Sequence, residues 1–363
     1  MKILMLCPLI SSSSFITTYP FAKLLSKKHD VEIMGPLLGE KQYIEDPKLK
    51  FTFIEPRVKK PIQLAFLSLY KKNLNILKKK DFDVIHAFKL LPHTGPVAAK
   101  IKKRTGTPFV LSIDDYDAAA SKNKAKRVVL EWAEKSYKDA DAVTVSSEML
   151  KKIYGGDIIY QVANEFVFKR KLNPKAFARK YDLENKIVIA HAGTFFDHKG
   201  MDVLIKAVKK INNKNVKLVL AGNSNIEKYK KIAGDETVFT GRIPMNDVAN
   251  LTQLCDIYAI PTKDTPYARA EIPAKIFEPM MLGKPVIASS ISDIPRILDN
   301  GKCGLLTKPG SVDDLAKKIQ YLIDNPKERI KFGAKSRKRY DANYSYKKIE
   351  EKIWEIYLNL NVY

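Results

Sequence analysis

Short runs of β-branched and apolar residues alternate with longer amphipathic stretches along most of the chain, which restricts the fold to layered α/β architectures. In the first half KILMLCP, VEIMGP, FTFIEP, DVIHAF, PFVLSI, AVTVSS and DIIYQV read as strands. Between them AFLSLYKKNLNIL and RVVLEWAEKSYKDA carry apolar residues three and four apart and read as helices. The second half repeats the scheme with IVIAHAG, VKLVLAG, TVFTG, IYAIPT, KPVIASS and GLLT as strands. No short-period repeat interrupts it, so solenoids are excluded. The expectation is two doubly wound parallel domains, one over residues 1–165 and one over 166–341, divided within the polar stretch 163–186. Beyond GLLTKPG the pattern is wholly helical, and the closing helix, residues 342–363 with Trp354 and Tyr357 on one face, is expected to pack back on the first domain. Two such sheets facing each other leave a cleft, and ligands of open parallel sheets bind beyond the carboxyl ends of the strands.

Length and composition agree. A chain of 363 residues is comfortable for two domains, each able to bury a core, and 45% hydrophobic content is far from that of a disordered chain. The apolar stretches IQLAFLSLY and IVIAHAG fall well short of the roughly 18 residues that span a bilayer. The opening MKILMLCPLI runs into Ser11 to Ser14 rather than a cleavage site, and reads as a buried strand. Cys7, Cys255 and Cys303 are odd in number and far apart, which argues against a disulfide framework or a zinc site and fits a reducing cytoplasm. His93, His191 and His198 lack metal-ligand spacing.

The net charge of +24 calls for an anionic partner. Each lysine cluster, such as Lys78 to Lys80 or Lys102 to Arg104, also reads as a solvated helix end. The basic residues are dispersed, without aromatic interleaving or a recognisable module, so nucleic acid is the weakest partner class. Arg57 to Lys60 and Lys71-Lys72 beside IQLAFLSLY suggest peripheral contact with an anionic membrane, on its inner face for a cytoplasmic protein.

Two segments carry chemistry. HAGTFFDHKGMDVLIKAV runs from a strand through Gly193 and a short loop to Lys199-Gly200 at the start of a helix. Backbone N–H groups, a helix N-terminus and an ammonium around one point are how proteins hold diphosphates, although a surface lysine after a routine turn reads the same. In ARAEIPAKIFEPMMLGKPVIASS a helix opening at Pro273 carries Lys275 and Glu278 on one face and stops at Gly283. They read either as a phosphate and ribose pair or as an ordinary ion pair.

These segments, with VKLVLAG, VFTGRIP, CDIYAIPT, DIPRILDNGKCGLL and DDLAKKIQYLI in the same order, resemble the second domain of the retaining GT-B glycosyltransferases. The resemblance implies two Rossmann-like domains facing a cleft. It further implies that Lys199 neutralises the leaving diphosphate and that Glu278 holds the nucleotide ribose. Backbone groups at Ile272, Pro273 and Ala274 would meet sugar hydroxyls or phosphate, and the base would lie near Gly222, Asn223, Arg242 and Ile243. Arg242 also reads as a loop-to-helix cap. Gly193 and Thr194 would lie against the phosphates.

The chain departs from the family in three places. Thr194 stands where the family has an arginine, with Lys275 or Arg269 left to compensate. Counting back from Glu278 to the family's first glutamate gives Ala270, so Glu271 is one place late and would reach the sugar only from a remodelled loop. In the first domain VLSIDDYD offers Asp114 and Asp115 where a histidine is frequent. Asp114 would orient the acceptor, or simply end a turn. Ser13 and Ser14 replace a glycine pair and either touch the acceptor or cap a helix; His86 either faces the cleft or is a satisfied buried ring.

The function expected is transfer of a sugar from a nucleotide-sugar donor to a hydroxyl of a glycan or lipid-linked acceptor, with retention and with neither metal nor other cofactor. The alternative is an impaired GT-B subunit that binds nucleotide or glycan and supports a partner.

Overall fold

The computed structural model describes residues 1–12, 14–39, 41–78, 80–121, 123–160, 164–168 and 172–360. The chain forms two compact units, Met1–Gln161 with Tyr346–Tyr363, and Val162–Ser345.

The first unit is built on a parallel sheet of strands β1 (Lys2–Leu6), β2 (Asp30–Pro36), β3 (Lys50–Ile54), β4 (Val84–Phe88), β5 (Phe109–Ile113), β6 (Ala142–Val145) and β7 (Asp157–Ile158), in the order β3-β2-β1-β4-β5-β6-β7. The central strands are apolar on both faces because helices cover both. In the helix Ile62–Leu77, Ala65, Leu69, Asn73 and Leu77 are buried at intervals of four, which is the inward stripe of an amphipathic helix. The helix Gly95–Thr105 stops where Gly106 turns left-handed, with Lys102, Lys103 and Arg104 in the last turn as the helix dipole favours. Lys102 and Lys103 also pair with Asp141 and Asp139, at 2.6 and 3.1 Å.

Of DIIYQV, the described residues 157–160 yield only the two residues of β7. This is an edge strand entered through Gly156, where a Cβ would lie 2.1 Å from the Val143 carbonyl, and it pairs only with β6. The helix Tyr346–Leu358 belongs to this unit and buries Tyr346, Ile349, Ile353, Ile356 and Tyr357. Lys27 and Glu350 tie it down at 3.0 Å, and Trp354 meets the His29 ring at 4.9 Å.

The second unit carries β8 (Ile187–Ala192), β9 (Val216–Ala221), β10 (Thr237–Gly241), β11 (Ile257–Ile260), β12 (Val286–Ser289) and β13 (Leu305–Thr307), in the order β10-β9-β8-β11-β12-β13. Its core joins the sheet to the helices Met201–Ile211 and Val312–Asp324, the latter capped by Ser311, whose hydroxyl accepts from the Asp314 N–H at 3.2 Å. Strand order reverses between β1 and β4 in the first unit and between β8 and β11 in the second, which places a ligand-binding crevice at the carboxyl end of each pair.

Among the described residues no helix is long and apolar enough to cross a membrane, and no group of three or more His, Cys, Asp or Glu side chains is arranged to hold a metal ion. The three cysteines are free and buried.

Candidate functional site

The second unit's switch point is fixed by side chains that tie β8 to β11. His191 is buried with Nδ1 2.8 Å from the Ala259 carbonyl, and the Ala192 N–H donates to the Tyr258 hydroxyl at 3.1 Å. Burial, opposed by that carbonyl and assisted by the charges of Lys199 and Lys275, pushes the His191 pKa down to about 4. Both lysines are therefore within electrostatic reach of His191, near the carboxyl end of β8.

Two glycines make the local path possible. A Cβ on Gly222 would lie 2.1 Å from the Gly193 carbonyl, so the ends of β8 and β9 close together only without side chains there. Gly200 has φ +73°, and a Cβ on it would meet the Pro261 carbonyl at 1.9 Å. Between them Phe195 is buried as an anchor while Phe196 is half exposed. The turn Asp197–Lys199 then delivers Lys199 to the start of the helix Met201–Ile211, whose first N–H groups have no side-chain cap.

Lys199 Nζ lies 2.6 Å from Glu271 Oε1, and His198 Nε2 lies 3.3 Å from Oε2. Burial works to raise the Glu271 pKa, but His198 and Lys199 outweigh it and pull the carboxyl down to about 2, so it is ionised. The helix Pro266–Ala270 ends one residue before Glu271, buries Ala270 and turns Glu271 toward Lys199.

Lys275 and Glu278 form an ion pair at 2.9 Å. Pro273 caps a turn, Ala274–Ile276, that leads into the helix Phe277–Met281, and Glu278 is buried there while Lys275 is half-buried. Burial raises the Glu278 pKa despite Lys275, and Glu278 Oε2 has no hydrogen-bond partner among the described residues. An orphan carboxylate oxygen in such a place costs stability and is an acceptor waiting for a donor. Ile272 is buried as well.

The remaining expected donor contacts are less concentrated. Thr194 and Asn223 are exposed at the ends of β8 and β9. Arg242 and Ile243 follow β10, which is an edge strand separated from β8 by β9. Arg242 is exposed, and the helix Met245–Leu254 is entered through Pro244, so Arg242 is not its cap. Of the two cations expected to compensate for Thr194, Arg269 is held by Asp264 in a two-point pair at 2.7 and 3.0 Å and Lys275 by Glu278 at 2.9 Å.

In the first unit Asp114 ends β5 and is buried. Burial, opposed by Lys89 and helped by Asp115 and Asp117, raises its pKa to about 7. Lys89 Nζ stands 3.1 Å from Asp114 and also pairs with Asp115 and, at 3.9 Å, with Asp117. Burial disfavours the Lys89 charge, but the three carboxylates prevail and hold it protonated. Lys89 was not among the expected residues; it directly follows β4 with a left-handed φ of 64°, a constrained position for a non-glycine residue that only the fold reveals. His86 is the buried, satisfied ring of its two readings. Nδ1 meets the Tyr357 hydroxyl at 2.9 Å, Nε2 meets the Ser112 hydroxyl at 2.7 Å, and burial lowers the pKa to about 3. Both nitrogens are used internally, so an acceptor contact is corrected away. Ser14 stands at the N-cap of the helix Phe15–Leu25 but makes no capping bond, its hydroxyl being 2.7 Å from that of Ser12. Ser13 lies outside the described residues.

Comparison with known proteins gives the same assignment for both units. The family described as Glycosyltransferase Family 4 matches residues 17–157, and the one described as Glycosyl transferases group 1 matches residues 161–339. An uncharacterized glycosyltransferase of Methanocaldococcus jannaschii is 26% identical over 315 residues, covering 84% of each chain. Among solved structures, sucrose-phosphate synthase from Thermosynechococcus elongatus superposes with a TM-score of 0.78 at 17% identity over 99% of both chains. The Anabaena protein HepE, in complex with UDP, gives 0.76 at 19% identity over 98% of this chain and 99% of that one. The structural likenesses establish the fold, two Rossmann-like domains of GT-B type.

Proposed function

This chain belongs to the group 1 and family 4 glycosyltransferases, and from that premise we propose that it moves a sugar from a nucleotide-sugar donor to an acceptor hydroxyl with retention at the anomeric carbon. The observation that carries the donor assignment is the pair of ion pairs Lys199–Glu271 and Lys275–Glu278, the first presented by a turn whose Gly200 packs against the Pro261 carbonyl just beyond β11. HepE has been crystallised with UDP and with UDP-glucose, which supports a nucleotide sugar as the donor class.

In this reading Lys199 and the uncapped helix N-terminus face the diphosphate, where negative charge grows as the bond to the sugar breaks. The orphan oxygen of Glu278 accepts from a ribose hydroxyl, Glu271 faces the sugar, and the backbone of residues 272–274 lies alongside. Gly193, Thr194, Gly222 and Asn223 border the nucleotide. The bond from the anomeric carbon to the phosphate oxygen breaks, the bond to the acceptor oxygen forms, and the acceptor's proton passes to the departing diphosphate. The step needs no metal and no protein nucleophile, only placement and field. Asp114, held by Lys89, is the acceptor-side carboxylate of the first unit.

A glycan or lipid-linked acceptor and peripheral contact with an anionic membrane belong to the same proposal. Exposed Phe53, Val58, Ile62 and Leu64 accompany exposed Arg57, Lys59 and Lys60 in the first unit, a combination of apolar and basic groups that suits an anionic interface.

A thermal-shift screen of nucleotide sugars tests the proposal. A true donor at about 100 times its dissociation constant stabilises the folded chain by about 2.7 kcal/mol. A panel in which no nucleotide sugar shifts the transition would reject donor binding. Binding without transfer or hydrolysis would instead favour the non-catalytic subunit, a reading motivated by Thr194 and Ala270.

A further inference from the structure

His198 has no part in the reaction as drawn above, yet it faces the same carboxylate as Lys199. Lys199 Nζ donates to Glu271 Oε1 at 2.6 Å, while His198 Nε2 lies 3.3 Å from Oε2, at ion-pair distance but without a hydrogen bond among the described residues. The imidazole is itself fixed on two sides. Phe196 stacks against it with centroids 5.9 Å apart and planes at 22°, and Tyr267 meets it edge-on at 5.1 Å. Phe196 comes from the loop that delivers Lys199, and Tyr267 from the helix that ends at Glu271. Ring and carboxylate are therefore located by the same two segments.

The sharing has a consequence for ligand binding, and it rests on the donor reading given above. In the free protein the Glu271 carboxylate is the anion on Lys199. An arriving diphosphate competes for that ammonium and repels the carboxylate, so one of Glu271's two partners is lost on binding. A glutamate with no other partner would then swing into water and lose its orientation.

We propose that His198 is a positioning residue that retains Glu271 when the diphosphate takes Lys199, keeping the carboxylate at the sugar. In the free protein His198 Nε2 makes no hydrogen bond among the described residues, so once Lys199 is taken it is the donor to which the Glu271 carboxylate, already 3.3 Å away, can turn; it touches neither nucleotide nor sugar. Its removal is felt only through Glu271.

Full-length variants separate this from a structural role. Release of nucleoside diphosphate from UDP-glucose, UDP-N-acetylglucosamine and GDP-mannose is followed for the parental chain, His198→Ala, His198→Gln, Glu271→Gln and the double variant His198→Ala with Glu271→Gln. Binding of the corresponding nucleoside diphosphate is titrated in parallel. The expected results are a roughly tenfold lower kcat for His198→Ala with diphosphate affinity within about twofold, and recovery of most of kcat by His198→Gln, whose amide donates in place of the ring. Glu271→Gln binds the diphosphate several-fold more tightly because the internal competitor has lost its charge. In that background His198→Ala lowers kcat no further, the non-additivity expected of two residues acting as one. A parental kcat for His198→Ala, or an equal loss with and without the Glu271 carboxylate, overturns the proposal. Failure of the donor reading looks different: the parental chain binds no nucleoside diphosphate, or Lys199→Ala leaves binding unchanged, and both ideas fall together.

Discussion

The functional chemistry at the residue scale is a matter of which charges are compensated within the fold. Lys199, Lys275 and Lys89 are each held by carboxylates, whereas one oxygen of Glu278 is buried without a hydrogen-bond partner among the described residues. Asp114 is a buried carboxylate held by Lys89 at 3.1 Å, its pKa raised by burial to about 7 while Lys89 opposes the shift. Asp114→Asn keeps the shape and removes a charge whose burial is unfavourable, so the variant should fold. Turnover is expected to fall by about tenfold or more while donor affinity stays within about twofold, measured by transfer kinetics beside nucleotide titration. Parental turnover would return Asp114 to the status of a turn residue. Lys199, Lys275 and Glu278 could be singled out in the sequence because each sits in a motif whose spacing implies one helix face or one turn, whereas Glu271 is out of register with the family's spacing and its pairing with Lys199 is visible only in the fold. His198 and Lys89 were not legible as site residues. Their roles depend on Glu271 and on three aspartates, partners 73 and 25 to 28 positions away, and that proximity is created by tertiary packing.

At the scale of elements, the strands were readable because parallel strands buried on both faces are continuous apolar runs, while β7 was overestimated because its apolar letters continue past the last ladder pair with β6. The tight turns depend on glycines whose need becomes visible only in three dimensions. Gly200→Ala forces a Cβ against the Pro261 carbonyl at a positive φ, so the turn presenting Lys199 must shift. A loss of about 2–4 kcal/mol in unfolding free energy is expected from denaturant titration, together with weaker donor binding. Unchanged stability and affinity would show that Lys199 does not depend on this turn.

For the whole molecule, buried histidines make acid an informative perturbant. His86 is neutral in the fold, with a pKa lowered to about 3 by burial, whereas in the unfolded chain it titrates near 6.5. Its folded pKa is depressed, so its contribution is complete above about pH 6.5 and is lost as pH falls toward about 3, at about 1.4 kcal/mol per pH unit. Stability lost between pH 7 and 5 should therefore be about 2 kcal/mol greater for the parental chain than for His86→Gln, by urea unfolding at both pH values; equal losses would show that His86 is not buried neutral. The net charge of +24 acts over longer distances. Sedimentation with anionic vesicles should exceed that with neutral vesicles at low salt and fall away toward 1 M, where the Debye length shrinks to about 3 Å. Equal sedimentation with both would remove membrane contact from the account.

The most direct test compares donor kinetics of Lys199→Ala and Glu278→Ala with the parental chain. Lys199 meets diphosphate charge that grows as the sugar–phosphate bond breaks, so its loss should weaken binding and in addition lower kcat by roughly 10²–10³-fold. Glu278 is assigned to the ribose, which does not change during the reaction, so its loss should raise KM for the donor more than it lowers kcat. Near-parental constants for both variants would contradict the assigned site.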